Sequence, residues 1–152
     1  MALFPVVLPL ANPGVLDVAL RHRSARALAE RLPALSPETE LGCLECFPNG
    51  LTFYLGRTVT LISRDGDELT SNYILSLLAR EPQWPTNVVR RSEFAQWLDS
   101  RKTPVYLIVR PVDRAELETR GATVQELSRD WLGGLLPAAG LSRQNRAASG
   151  GS

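Results

Sequence analysis

The segment Val105-Tyr-Leu-Ile-Val109 decides the fold class of this chain. It is an almost continuous apolar run, and such runs are typical of strands in parallel sheets. Helices cover both faces of these sheets, so neither face of the strand needs polar side chains. The sequence therefore predicts a central strand over residues 105–109.

Two further strands are predicted upstream of this segment. Residues 40–47 are short, apolar and bounded by Pro48-Asn49-Gly50, and residues 58–63 are strongly β-branched. Between them, residues 51–55 have the apolar spacing of one or two helical turns. A direct β-hairpin across Asn49-Gly50 is the alternative.

Amphipathic helices are predicted on both sides of the central strand. Before it they cover residues 24–32, a stretch from Thr70 or Ser71 to Pro82, and residues 92–101. After it, Asp113 and Glu116 form a capping box for a helix that ends at Gly121, and a weaker strand follows around residues 122–127. The alternation predicts an α/β fold with a small parallel or mixed sheet flanked by helices.

Composition limits the classes of function. A chain of 152 residues has the length of one domain. Its 17 Lys and Arg against 16 Asp and Glu give a net charge of +1, without the basic excess that binds nucleic acid. Nucleic acid is therefore not an expected partner.

The two ends differ from the middle. Residues 1–20 contain one charged residue, Asp17, but three prolines interrupt them, so they are a poor membrane helix on their own. Two interpretations remain: an extended apolar arm, or the stump of a last transmembrane helix. Residues 21–141 are predicted to form one domain, and residues 142–152 a disordered tail.

Cys43 and Cys46 form a C-x-x-C pair. A zinc site would need more ligands than the single histidine, His22, supplies, and a redox pair should begin a helix. Both cysteines fall in the predicted strand 40–47, where residues three apart face opposite sides. They are interpreted as two ordinary strand cysteines.

Several charged groups are candidates for surface roles. Asp65, Asp67 and Glu68 are interpreted as an acidic turn, with cation binding as the alternative. The pairs Arg90-Arg91 and Arg101-Lys102 are interpreted as solvated helix ends, with contact to lipid phosphate as the alternative. No phosphate loop surrounds Gly133-Gly134.

Three segments carry a resemblance to a known family: Gly50-Leu-Thr-Phe-Tyr-Leu-Gly-Arg57, the strand Thr58-Val-Thr-Leu-Ile62 and Gly66-Asp-Glu-Leu69. Together they resemble the C-terminal soluble domain of bacterial membrane glycosyltransferases of the protein-mannosyltransferase and aminoarabinose-transferase superfamily. The likeness extends over about residues 21 to 128, through Ser92-Glu-Phe-Ala-Gln-Trp97 and the central strand.

The resemblance implies a non-catalytic accessory domain that caps the membrane portion of the same polypeptide on its extracytoplasmic, periplasmic face. The parent enzyme would transfer a sugar from a polyprenyl-phosphate donor. The family's catalytic carboxylate lies in the membrane portion, so no catalytic residue, metal or cofactor is expected in this chain. The resemblance also favours the helix stump for residues 1–20.

Tyr54 and Arg57 are the predicted binding residues, with a polyprenyl-phosphate headgroup as the candidate ligand. The alternative is that Tyr54 packs and that Arg57 pairs with a carboxylate. At the level of the whole chain, the alternative is an independent soluble α/β module that binds a partner or a small ligand.

Overall fold

The computed structural model describes residues 25–69, 76, 78, 80 and 83–138. The strands are β1 (Glu40–Leu44), β2 (Val59–Ser63), β3 (Val88–Arg90), β4 (Val105–Val109), β5 (Thr123–Ser128) and β6 (Trp131–Leu136). Within the described residues the α-helices are α1 (Ala25–Arg31), α2 (Leu51–Leu55), α3 (Phe94–Asp99) and α4 (Arg114–Thr119). Short 3-10 turns lie at Asp67–Leu69, Arg91–Glu93 and Pro111–Asp113.

The six strands form one mixed sheet in the order β3-β2-β1-β4-β6-β5. The first four strands in this order are parallel, and β6 runs antiparallel to both of its neighbours. Every residue of β4 is buried, because β1 and β6 flank the strand and helices cover it. The predicted α/β class and the central strand over residues 105–109 are confirmed.

Helices cover the two faces of the sheet separately. The first face packs Leu28 of α1 and Leu51 of α2 against Leu41, Leu61 and other apolar side chains of the strands. The second face packs helices α3 and α4 through a different cluster, which contains Phe94, Leu117, Leu44, Ile62, Leu107 and Val109. Alternation along each strand sends successive side chains to opposite clusters, so both layers are held by the same strands.

The strand order reverses between β1 and β4. Helix α2, which follows β1 and leads to β2, lies on the first face, whereas α4, which follows β4, lies on the second. The connections therefore leave the carboxyl ends of β1 and β4 in opposite directions. In open α/β sheets a crevice forms at such a point.

Most predicted elements are present. Helix α1, the helical turns of α2, and strands β2 and β5 are found where the sequence predicts them, so the β-hairpin alternative at Asn49-Gly50 is wrong. Ser76, Leu78 and Arg80 are helical, and Leu78 is buried, as expected from the helix predicted before Pro82.

Two expectations need correction. The first strand ends at Leu44 rather than at Phe47, because Glu45 has a positive φ of 50° that breaks the extended chain. Asp113 makes no side-chain capping bond to α4, and Glu116 pairs with arginines, so the capping box is wrong.

Strands β3 and β6 are not predicted by the sequence pattern. Strand β6 contains Gly133 and Gly134, which favour neither helix nor strand by propensity. A side chain at Gly133 would overlap with the hydroxyl and ring of Tyr106 on β4. Glycine is therefore required to leave room for the side chain of Tyr106.

Some predictions lie outside the described residues. These are the apolar arm or helix stump over residues 1–20, the first residue of the helix predicted over residues 24–32 and the tail over residues 142–152. Within the described part of the chain, no helix is long and apolar enough to cross a membrane.

Candidate functional site

The predicted residue Tyr54 lies on α2, a helix of five residues. Two glycines in the left-handed conformation, Gly50 and Gly56, begin and end it, which keeps the helix short. Its outer side carries Phe53, with 82% of its surface exposed, and Tyr54, with 50% exposed. The two rings meet edge to face with centroids 5.4 Å apart, so they form one exposed aromatic pair.

The predicted residue Arg57 follows α2 and reaches back to the connection between α1 and β1. Its Nη2 donates to the main-chain oxygens of Pro37, at 2.9 Å, and of Thr39. Its Nη1 lies 3.5 Å from the oxygen of Ser36. The partners are thus carbonyls rather than the carboxylate considered from sequence, and the guanidinium holds two loops together.

A second group of polar side chains lies at the carboxyl ends of the parallel strands. Glu45 follows β1, Arg64 follows β2, Arg91 follows β3 and Arg110 follows β4. A cavity of about 410 Å³ opens there, and we call it the carboxyl-edge cleft. Its lining consists of Glu45, Arg64, Asp67, Glu68, Arg110, Val112 and Asp113.

Glu45 has an unusual backbone and an unusual side chain. Its φ of 50° is rare for a residue with a Cβ atom, and such conformations occur at functional sites. Its buried Oε1 accepts no hydrogen bond and lies 3.5 Å from Nε of Arg91. Burial and the charge of Glu68 raise the pKa of the Glu45 carboxyl, and Arg64 and Arg91 oppose the rise.

Asp113 shares this environment. Burial raises the pKa of its carboxyl, against the charge of Arg91. Four carboxylates and two guanidinium groups line the cleft, so its negative charge exceeds its positive charge. The arrangement suits a ligand that donates hydrogen bonds or carries a positive charge.

The acidic turn belongs to the cleft rather than to an isolated surface. Oγ of the buried Ser63 donates to Glu68 at 2.5 Å and accepts from the amide of Gly66 at 2.8 Å. Ser63 is therefore fully engaged and is not placed as a nucleophile. Within the described residues, no group of three or more His, Cys, Asp or Glu side chains is arranged to hold a metal ion.

The arginines near α3 are engaged rather than simply solvated. Arg91 pairs with Glu45 and with Glu116, and Arg101 pairs with Glu40 at 3.2 Å. Arg90 lies over the ring of Trp84 at 4.3 Å. The interpretation of these groups as solvated helix ends is wrong for Arg91 and Arg101.

The two cysteines lie beside the cleft and face the same side of the sheet. Both are fully buried in the core of the first face. The expectation that they face opposite sides is wrong, because the bend at Glu45 turns Cys46 back under Cys43.

The structure thus separates two sites. The aromatic pair and Arg57 lie on and after α2, whereas the carboxyl-edge cleft lies at the strand ends. Sequence reasoning missed Glu45 and Arg110 as site residues, and it treated Asp113 only as a helix cap. The signal that identifies Glu45 and Arg110 is their position directly after buried strands.

Comparison with known proteins gives a likeness of fold. The chain matches ArnT from Cupriavidus metallidurans, solved bound to undecaprenyl phosphate, with a TM-score of 0.51 and 22% identity. It matches the apo state of the same protein with a TM-score of 0.50 and 20% identity. The alignments cover 80% and 78% of this chain but only 20% of ArnT. No family model and no curated protein matches the sequence.

Proposed function

We propose that this chain is the non-catalytic accessory domain of a membrane glycosyltransferase that uses a polyprenyl-phosphate-linked sugar. The observation that carries the proposal is the fold likeness to one fifth of ArnT, an aminoarabinose transferase, over most of this chain. In this proposal the domain is C-terminal to the membrane portion and caps it on the extracytoplasmic face.

The chemistry of the described residues is consistent with an accessory role. Ser63 is bonded to Glu68, both cysteines are buried, and Arg57 holds main-chain carbonyls. None of these groups combines an accessible nucleophile with a base. The proposal therefore assigns catalysis to the membrane portion.

The exposed aromatic pair is the surface that we assign to the membrane side. Phe53 and Tyr54 project from α2, which packs beside α1, and Arg26 of α1 lies within electrostatic range of Tyr54. Aromatic rings with nearby basic side chains are typical of the membrane interface. Helix α1 also begins five residues after the apolar stretch over residues 1–20.

Arg57 acts indirectly in this proposal. Its bonds to Pro37 and Thr39 fix the end of α2, and thereby the aromatic pair, against the connection between α1 and β1. It also lines a shallow cavity of about 470 Å³ with Thr52 and Thr58. A lipid phosphate bound at Arg57 would compete with these carbonyls for the guanidinium group of Arg57.

The test measures sugar transfer by membranes from cells that express the complete reading frame. The double substitution Phe53→Ser with Tyr54→Ser should lower transfer at least threefold at equal protein level. The matched control is Leu135→Ser on β6, a side chain of similar exposure at 44%, which should leave transfer unchanged. Equal transfer by all three proteins would contradict the assignment of the aromatic pair.

An independent ligand-binding module is the second candidate, and the carboxyl-edge cleft favours it. The cleft lies where open α/β sheets bind small ligands. The upstream reading frame distinguishes the two candidates. A frame that continues into many hydrophobic segments supports the accessory domain, and a start at Met1 with its own ribosome-binding site supports the independent module.

A further inference from the structure

Cys43 and Cys46 are brought together by the bend that ends β1. Cys43 is the fourth residue of the strand, and Glu45, with its φ of 50°, reverses the direction in which the next side chain points. Both cysteine side chains have no exposed surface, and both belong to the core of the first face.

A contact with β4 independently locates the sulfur atom of Cys46. Sγ of Cys46 lies 3.4 Å from the main-chain oxygen of Ile108 and donates to it. Ile108 is the residue of β4 that pairs with Cys43 in the parallel ladder. Neighbouring strands are about 4.8 Å apart, so this places Cys46 next to Cys43.

The pKa of Cys43 also depends on Cys46. The pKa of the Cys43 thiol is raised well above its usual value, first by a hydrogen bond with Cys46 and then by burial. In the folded domain the Cys43 thiol therefore stays protonated, and burial shields both sulfurs from external reagents.

Two other roles for the pair are not supported. A metal would need further ligands, and the described residues contain no metal-ligating group of three. A dithiol that reduces or oxidises other proteins must be accessible and have a lowered pKa, whereas these cysteines are fully buried.

We propose that Cys43 and Cys46 are joined by an intradomain disulfide when the domain folds in an oxidising compartment. Each thiol loses its proton, the S–S bond forms, and the electron pair passes to a disulfide oxidant. That oxidant, such as oxidised glutathione or a dithiol–disulfide oxidase, is reduced to two thiols. The exchange takes place before β4 buries the pair.

The bond has a consequence for the carboxyl-edge cleft. The ring that it closes contains Leu44 and Glu45, so it fixes the left-handed backbone of Glu45. The carboxylate of Glu45 would then be held beside Arg91 in the cleft. A covalent link at this bend stabilises a conformation that a non-glycine residue adopts at a cost.

The inference rests on the proposed function in one respect: the proposed extracytoplasmic location is the oxidising compartment in which the bond would form in the cell. Its test is independent of that location. The chain is unfolded with reductant, refolded in a buffer of oxidised and reduced glutathione, and acid-quenched. It is then alkylated with N-ethylmaleimide under denaturing conditions and weighed intact.

Most wild-type molecules should carry no maleimide, and dithiothreitol before alkylation should restore two adducts. Cys43→Ser and Cys46→Ser should not show the protected species. Two adducts on wild type after oxidative refolding, or glutathione on both cysteines, would overturn the proposal.

Thermal unfolding gives a readout that does not depend on the single variants folding. Reduction with dithiothreitol should lower the Tm of oxidised wild type and leave the Tm of the Cys43→Ala, Cys46→Ala double variant unchanged. Equal response of the two proteins would also overturn the proposal. A failed glycosyltransferase assay would contradict the proposed function, but it would not change the results expected from oxidative refolding and thermal unfolding.

Discussion

Nε of Arg91 lies 3.5 Å from Oε1 of Glu45, and the same guanidinium donates from Nη2 to Oε2 of Glu116. Arg91 follows β3, Glu45 follows β1 and Glu116 belongs to α4. One side chain therefore links three elements that are distant in sequence. Arg120 pairs with the other oxygen of Glu116 at 3.2 Å and extends the network.

Arg91→Ala should lower the free energy of unfolding by about 1 to 3 kcal/mol, because Glu116 loses a charged hydrogen-bond donor and Glu45 loses a neighbouring positive charge. Chemical denaturation measures the change. The matched control is Arg114→Ala, which breaks the pair with Glu118, where the side chains are 58% and 51% exposed. The control should lose less than about 0.5 kcal/mol. Equal losses of stability in the two variants would show that the Arg91 network stabilises the domain no more than an exposed ion pair does.

Glu45→Gln should make the domain more stable at neutral pH. The pKa of Glu45 is raised above 4.5, so the folded state binds its proton more tightly than the unfolded state does. The contribution of Glu45 to the free energy of unfolding therefore falls as the pH rises from about 4.5 through the raised pKa. The substitution should raise the Tm at neutral pH by about 2 °C and flatten the pH profile. An unchanged profile would contradict the role of the buried charge.

Glu45→Gly should be more stable than Glu45→Gln by up to about 1 kcal/mol. Glycine adopts a φ of 50° without the contact between Cβ and the carbonyl oxygen that a side chain makes there. Part of this gain is offset by the greater freedom of glycine in the unfolded chain. A less stable Gly variant would show that Glu45 holds the bend through its side chain.

Gly133→Ala should lower the free energy of unfolding by about 3 kcal/mol or prevent folding, because the added methyl group overlaps with Tyr106. Gly134→Ala is the matched comparison. Its Cβ would lie 3.0 Å from Leu117 and 3.1 Å from Ala122, both side-chain methyl groups, so a smaller loss is expected. In a double-mutant cycle, Tyr106→Ala should remove most of the cost of Gly133→Ala. Additive losses would contradict a direct clash.

Arg57→Ala should lower the free energy of unfolding by about 1 to 2 kcal/mol, because the connection between α1 and β1 loses its donor. Hydrogen exchange of the Thr39 amide, which donates to Ser36 at 3.0 Å, should become faster. Arg57→Lys retains one donor group and should give an intermediate result. The control is Arg129→Ala in the exposed turn between β5 and β6. Unchanged Thr39 exchange in Arg57→Ala would contradict the clamp.

Sequence periodicity predicts the elements whose burial follows from local pattern. Strand β4 is apolar throughout, and α3 places Phe94 against the second face, as its spacing indicates. Strand β6 is not predicted by periodicity, because the glycine at position 133 is required by the contact with Tyr106 on another strand. Such a requirement belongs to the tertiary structure and leaves no periodic signal.

The candidate sites divide in the same way. Tyr54 and Arg57 were identified from the family resemblance, and their role in binding stays a prediction. Glu45 and Asp113 meet because β1 and β4 pair in parallel, which no local pattern specifies. The left-handed bend at Glu45 also has no signal in the sequence, since glutamate is not a residue that favours it. The wrong orientation predicted for Cys46 has the same origin.

Transfer of a labelled sugar from a polyprenyl-phosphate donor tests the central claim most directly. Membranes from cells that express the complete reading frame are compared with membranes from cells that carry the empty vector. The accessory-domain account predicts transfer that depends on the expressed protein, with the protein in the membrane fraction. A reading frame that starts at Met1, with its product outside the membrane fraction and no transfer above the vector control, would contradict it.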